Sequence, residues 1–184
     1  MKKDNLKIRS TTILGIRVKG KVAVAGDGQV TLGDMAMKQK AVKVRKFDSP
    51  KGGVVGGFAG AAADALTLFE RFEQKLDEYE GDLKRSVVEM AKDWRTDKIL
   101  RHLEALLLVM DKRNSFIIAG DGNVIEPDGP IVAIGSGGGF AQAAATAFHQ
   151  SGKFSVKQIV EKSLKITADL CIYTNDSITV LELK

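Results

Sequence analysis

The chain has 184 residues, enough for one domain that buries its own core, and 44% of them are apolar against 28% charged, a balance that argues against wholesale disorder. Its longest apolar run, Ala105–Met110, is far short of a bilayer crossing, and the basic start MKKDNLKIRS lacks the apolar stretch of a signal peptide. A single cysteine, Cys171, excludes an internal disulfide and an all-thiolate metal site, and a reducing cytoplasm is the expected compartment.

Net charge is +5 and unevenly placed: residues 1–46 carry twelve Lys or Arg against three Asp, and the rest carry sixteen against twenty acidic residues. A basic segment can mark nucleic-acid binding. Here the lysines alternate with apolar residues, and no aromatic residue precedes Phe47 to stack on a base. Neither a nucleic-acid nor a membrane partner is expected.

In chain order, TILGIRVKGKVAVAG at 12–26 alternates around Lys19-Gly20 and predicts a β-hairpin. AVKVRKF at 41–47 alternates again and predicts a strand with Lys43 and Arg45 opposite Val42 and Val44. SPKGG is a turn, and VVGGFAG at 54–60 is a glycine-rich strand and its exit. Leu66, Phe69, Phe72 and Leu76 then recur at helical spacing, up to a break at Gly81-Asp82. Val87, Val88, Ala91 and Trp94 open a second helix, with a continuation or restart through Leu103–Met110. Strands return at SFIIAG (115–120), VIEP and PIVAIG (130–135). Ala141–Phe148 predicts an alanine-rich helix. Ser155 with Gln158 forms a capping box before the stripe Val156, Ile159, Val160, Leu164, Thr167 and Cys171. A strand at Ser177–Leu183 closes the chain. Runs of hairpin strands alternating with runs of helices predict a layered α+β domain with mostly antiparallel sheets.

Common site motifs fail. Gly15–Lys21 has phosphate-loop spacing, but Val22 stands where Ser or Thr must meet magnesium. Gly26-Asp27-Gly28 and Gly135-Ser136-Gly137 lack the third glycine of a dinucleotide fingerprint, with Thr31 and Phe140 in its place. His102 and His149 are read as helix-surface residues, far apart and without a serine triad. Taken alone, Thr11-Thr12 opens a strand, Lys43 is a solvated strand lysine, Asp27 is a turn residue and Ser136 caps the following helix.

The combination of segments changes that reading. TTILG (11–15), AGDGQVTLG (25–33), KVRK (43–46), GFAGAAADALTLFERFE (57–73), KDWRTDK (92–98), LRHLEALL (100–107), AIGSGG (133–138) and DLCIYTN (169–175) together resemble the N-terminal-nucleophile hydrolases of the proteasome β-subunit type. Within them, the chain is most similar to the bacterial HslV (ClpQ) peptidase family, from Thr11 almost to the end. The resemblance implies a four-layer αββα sandwich with two mostly antiparallel sheets. It implies a threonine-type endopeptidase that hydrolyses unfolded polypeptides inside two stacked hexameric rings of itself. ATP would be used only by the partner, the HslU AAA+ unfoldase that caps the rings and activates them.

It also implies the site. Thr11 would be the nucleophile once residues 1–10 are removed autocatalytically, leaving residues 11–184 as a single peptidase domain. Its free α-amine would be the base, Lys43 would favour the deprotonated hydroxyl, and Asp27 would orient Lys43. Gly57, read as the end of its strand, would donate to the oxyanion, and Ser136 would relay a proton at the amine. Backbone carbonyls of Ala168, Cys171 and Thr174 would hold a sodium ion, with Ala168 where the family often has glycine. Two departures stand out: the ten-residue leader and the longer turn at Pro50–Gly53. Two other readings are open at this stage. One is a catalytically silent ring subunit or scaffold that retains its leader. The other is an anion- or nucleotide-binding domain using GSGGGF at a helix N-terminus.

Overall fold

A computed structural model describes residues 8–9, 11–60, 62–97 and 105–183. Residues 1–7, 10 and 98–104, including His102, lie outside the described residues.

The first sheet is built on the predicted hairpin. β2 (Thr12–Val18) and β3 (Lys21–Gly26) pair from Ile13↔Gly26 to Val18↔Lys21. Lys19 (φ 50°) and Gly20 (φ 75°) turn the chain between them with left-handed backbone, the twist a two-residue hairpin needs. β11 (Ile131–Gly135) flanks β2, and β12 (Thr179–Leu183) flanks β3, completing four antiparallel strands. The second sheet holds β6 (Val44–Phe47), β7 (Val54–Ala59), β8 (Leu106–Met110), β9 (Ser115–Ala119) and β10 (Val124–Ile125), each paired antiparallel to the next. A small third sheet, missed by the sequence reading, joins β1 (Ile8–Arg9), β4 (Val30–Leu32) and β5 (Met35–Lys38).

Three apolar clusters show the layering. One lies between the two large sheets and includes Ile13, Val24, Val44, Val55, Leu108 and Ile134. The second packs the five-stranded sheet against α1 (Ala62–Glu78) and α2 (Leu83–Thr96), through Phe47, Phe58, Phe72, Trp94 and Leu107. The third packs the four-stranded sheet against α3 (Gly138–Ser151) and α4 (Val156–Leu170), through Leu14, Ala25, Ala141, Val160 and Leu164. The molecule is thus the predicted αββα sandwich. Its inner strands are buried on both faces, which is why β8 reads as a continuous apolar run.

Several local expectations change. Leu106–Met110 is a strand, not a continuing helix. A five-residue apolar run has no period to distinguish the two, and pairing on both sides with β7 and β9 decides it. β6 starts only at Val44, and its approach breaks the alternation: Val42 is 71% exposed, while Lys43 and Val44 are both buried. Leu66 belongs to α1 but is 66% exposed, and Leu68 takes its place in the core. The break between the first two helices holds. Gly81 (φ 76°) donates to the Leu76 carbonyl at 2.8 Å, and Asp82 caps α2 by accepting from the Arg85 amide at 3.0 Å. The Ser155–Gln158 capping box forms as expected, and the buried stripe of α4 runs from Val156 to Thr167, with Cys171 buried just past the helix end.

Candidate active site

Strand register gathers the site. Thr12 pairs with Gly135, Gly26 with Ile13, and Thr179 with Gly26, so one end of the four-stranded sheet presents Thr11 and the loops after β3 and β11 together. The loop that enters β12 reaches the same end. Thr11 is buried with φ 116°, a backbone conformation a β-branched residue rarely takes, and the Ser136 amide donates to its carbonyl at 2.9 Å. Gly135 (φ 91°) must be glycine here, because a Cβ would run into that same Thr11 carbonyl.

Asp27 is fully buried at the centre of the site. Its Oδ1 accepts from the Thr12 amide at 2.8 Å and from Lys43 Nζ at 2.9 Å. Its Oδ2 accepts from the Gln29 amide at 2.9 Å and the Asn175 amide at 3.4 Å. Lys43 Nζ also donates to the Gln29 carbonyl. Burial pushes the Lys43 ammonium below the ordinary lysine range, and the charge and hydrogen bond of Asp27 oppose that shift. Lys43 is therefore a desolvated cation held in place by one buried carboxylate, not a solvated strand lysine.

The loop after α4 completes the wiring. Thr12 Oγ1 and Thr174 Oγ1 lie 2.7 Å apart, and the Gly137 amide donates to Thr12 Oγ1 at 3.0 Å. Asn175 Oδ1 accepts from the Gly28 amide at 3.0 Å, and its Nδ2 donates to the Gln39 carbonyl at 2.9 Å. Gln29 Nε2 donates to the Ile172 carbonyl at 2.8 Å. Thr12, Gln29, Thr174 and Asn175 were not singled out for their side chains from the sequence. Their only signal was membership of the quoted segments.

Beside this network opens a cavity of about 400 Å³, walled by β6, β7 and α1. Thr11 and Lys43 border it, Val44, Phe58 and Phe69 make its apolar wall, and Arg45 and Gly60 also line it.

The remaining expected residues fall as follows. Gly57 does not end its strand: it lies inside β7, opposite Val44 on one side and Leu108 on the other, and a Cβ there would strike Ile13. The glycine past the strand end, on the cavity with Thr11, is Gly60. Ser136 reaches Thr11 through its backbone, and its side chain does not cap α3, whose N-cap position is Gly137. His149 lies in the last turn of α3, half-buried. Ala168 sits in the last turn of α4, Cys171 is its C-cap, and the Thr174 amide donates to the Cys171 carbonyl at 3.0 Å. Among the described residues, no group of three or more His, Cys, Asp or Glu side chains is gathered as a metal site, and no helix is long and apolar enough to cross a membrane.

Comparisons with known proteins agree with the fold. The family profile for proteasome subunits matches residues 8–183. The ATP-dependent protease subunit HslV of Aquifex aeolicus is 53% identical over 178 residues, which is 97% of this chain and all of that protein. The crystal structure of eukaryotic HslV from Trypanosoma brucei superposes with a TM-score of 0.86 at 43% identity, covering 94% of this chain and 99% of that one. Thiobacillus denitrificans BPH, solved in complex with epoxomicin, shares the fold with a TM-score of 0.73 at 19% identity, over 94% of this chain and 99% of its own. The chain belongs to the proteasome-subunit family, in its HslV-type branch of ATP-dependent protease subunits.

Proposed function

We propose that the chain is an N-terminal threonine peptidase, with Thr11 as nucleophile after loss of residues 1–10. The observation that carries the reading is the buried Lys43–Asp27 pair: Asp27 is tied to the Thr12 amide, and Lys43 borders the same cavity as Thr11. A threonine hydroxyl needs a base. The α-amine freed at Thr11 has an ordinary pKa of about 7.7–8.0 and serves that purpose near neutrality. Thr11 Oγ attacks the substrate carbonyl carbon and its proton passes to the amine. The amine then protonates the leaving nitrogen, the C–N bond breaks, and water hydrolyses the acyl ester. The Lys43 ammonium favours the hydroxyl in its deprotonated form and keeps the nearby amine neutral by repulsion. Asp27 fixes Lys43. The oxyanion donor is assigned to the Gly60 amide in place of Gly57, because Gly60 borders the cavity. Ser136 holds the Thr11 carbonyl with its amide, next to the amine it would serve.

A sodium ion would be held at the end of α4. Carbonyls of a helix's last turn have no amide partner within the helix, and the negative end of the helix favours a cation. Ala168 offers such an oxygen, the Cys171 carbonyl at the C-cap has a second lone pair beside the Thr174 amide, Thr174 follows, and hard oxygen donors suit sodium. The ion would steady the loop that sets Thr174 against Thr12 and Asn175 against Asp27. The peptidase works as two stacked hexameric rings in the cytoplasm, with HslU hexamers unfolding substrates and shifting the ring toward its active geometry. Lys38, Lys40 and Lys46, all exposed, offer positive charge to acidic elements of that cap, whereas Arg45, which the sequence grouped with them, is paired with Glu73.

Intact-mass spectrometry and peptide hydrolysis test the reading together. The active chain should lack residues 1–10. Thr11→Ala should keep the leader, assemble and hydrolyse nothing, while Thr11→Ser should keep part of the activity. Hydrolysis by Thr11→Ala free of contaminating proteases would overturn it. One observation favours a second reading: Ile8 and Arg9 pair with Leu32 and Thr31 of β4, so the end of the leader is docked beside the site. A chain whose mass shows the leader retained after assembly is then a silent ring subunit.

A further inference from the structure

We propose that Glu73 is a specificity-determining residue, which masks the charge of Arg45 in the cavity wall so that the cavity selects apolar substrate side chains and not acidic ones. The inference rests on the peptidase reading above and concerns the side chain preceding the cut bond, the one that the cavity beside Thr11 would take.

The lining is apolar at Val30, Ala41, Val44, Phe58, Ala65 and Phe69, yet it includes three cations, Lys38, Lys43 and Arg45. Left unpaired, three cations around a largely apolar hole would make it a receptor for carboxylates. Two of them are neutralised from behind. Lys43 is paired with Asp27, which is not in the lining. Arg45 Nη2 donates to Glu73 Oε2 at 2.7 Å, and Glu73 is likewise outside the lining, on α1. The Arg45 guanidinium also lies 5.5 Å from the ring centre of Phe47, a second attractive contact for its charge. The third cation, Lys38, is exposed on β5, where solvent screens it. Arg45 and Glu73 are each 38% exposed at the side chain, partly withdrawn from water at the border of the hole. The pair therefore presents apolar stem and a compensated head to the occupant, and the wall reads as neutral.

Two substitutions should move the selection in opposite directions. Glu73→Gln keeps the shape and uncovers the Arg45 charge. Arg45→Met keeps the length and leaves the Glu73 carboxylate alone. Processed rings, with the cognate unfoldase and ATP, would be given three fluorogenic peptides that differ only in Leu, Glu or Lys before the cut bond. Relative to Leu, Glu73→Gln should raise kcat/KM for the Glu peptide by up to about fivefold, the scale of a half-exposed charge contact. Added salt should shrink that gain. Arg45→Met should lower the Glu peptide and raise the Lys peptide. If either variant fails to assemble, the other still decides the sign. Variants that cleave the Leu peptide with unchanged ratios would overturn the inference alone, as would an assembled variant that cleaves none of the three. A parent chain that cleaves none of the three would overturn the peptidase reading beneath it.

Discussion

Asp27→Asn is the sharpest test of the buried network. The carboxylate is fully buried and accepts four hydrogen bonds, three from backbone amides and one from Lys43. Asparagine has the same outline but only one acceptor oxygen. If that oxygen faces Thr12 and Lys43, its NH2 meets the Gln29 and Asn175 amides, donor against donor. Each buried amide left unpaired costs about 1–3 kcal/mol. Lys43, 7% exposed at its side chain, loses its counter-charge, and removing one member of a buried pair costs about 3–5 kcal/mol. These terms overlap, so the expected loss of stability is about 4 kcal/mol near neutral pH.

The loss has a pH dependence of known sign. Burial already holds the Lys43 pKa below its unfolded value, and Asp27 is the group that raises it. Without Asp27 the folded pKa falls further. The stability missing below that lowered pKa returns as pH climbs toward the unfolded value of about 10.4, because the folded chain then carries a neutral amine. The gap between parent and variant should therefore narrow with rising pH. Urea unfolding at one fixed protomer concentration measures it, since ring assembly also adds to apparent stability. A gap below about 1 kcal/mol near neutral pH, the range of an exposed pair, or one that widens with rising pH, would refute the reasoning. Peptide hydrolysis should be lost in the same variant even where it remains folded.

Gly57→Ala should destabilise by about 1–3 kcal/mol by driving a methyl into Ile13 between the sheets, read by the same urea titration, with no change in the peptides preferred. Replacing sodium by a large organic cation should weaken hydrolysis reversibly, and sodium should restore it. Equal rates in both would remove the support for an ion at Ala168, Cys171 and Thr174. Thr12→Val should disturb activity more than its size suggests, because it removes the hydroxyl shared by Thr174 and the Gly137 amide, at about 1–3 kcal/mol for the groups left unpaired. Unchanged stability and activity would show that this contact does not position the loop.

Much of the architecture was legible because it is encoded locally. Alternation around Lys19-Gly20, the turn at Gly81-Asp82 and the Ser155–Gln158 box each act within a few residues, and each forms as the sequence predicts. The layered class followed from the order of such elements. The candidate residues Thr11, Asp27 and Lys43 were legible only through family resemblance, because a lysine between valines carries no mark of burial in its own neighbourhood.

Tertiary structure decided what depends on distant partners. Leu106–Met110 is a strand because β7 and β9 pair with it, and Lys43 is buried because Asp27, 16 residues away, supplies its counter-charge. Thr12 meets Thr174 across 162 residues, and Arg45 meets Glu73 across 28. Gly57 and Gly60 look alike in the sequence, and only the position of the cavity separates a packing glycine from one that borders Thr11. Periodicity reports which face of an element is apolar, because that depends on neighbours along the chain. Which charge stands behind which wall depends on how the layers close, and no local pattern carries it.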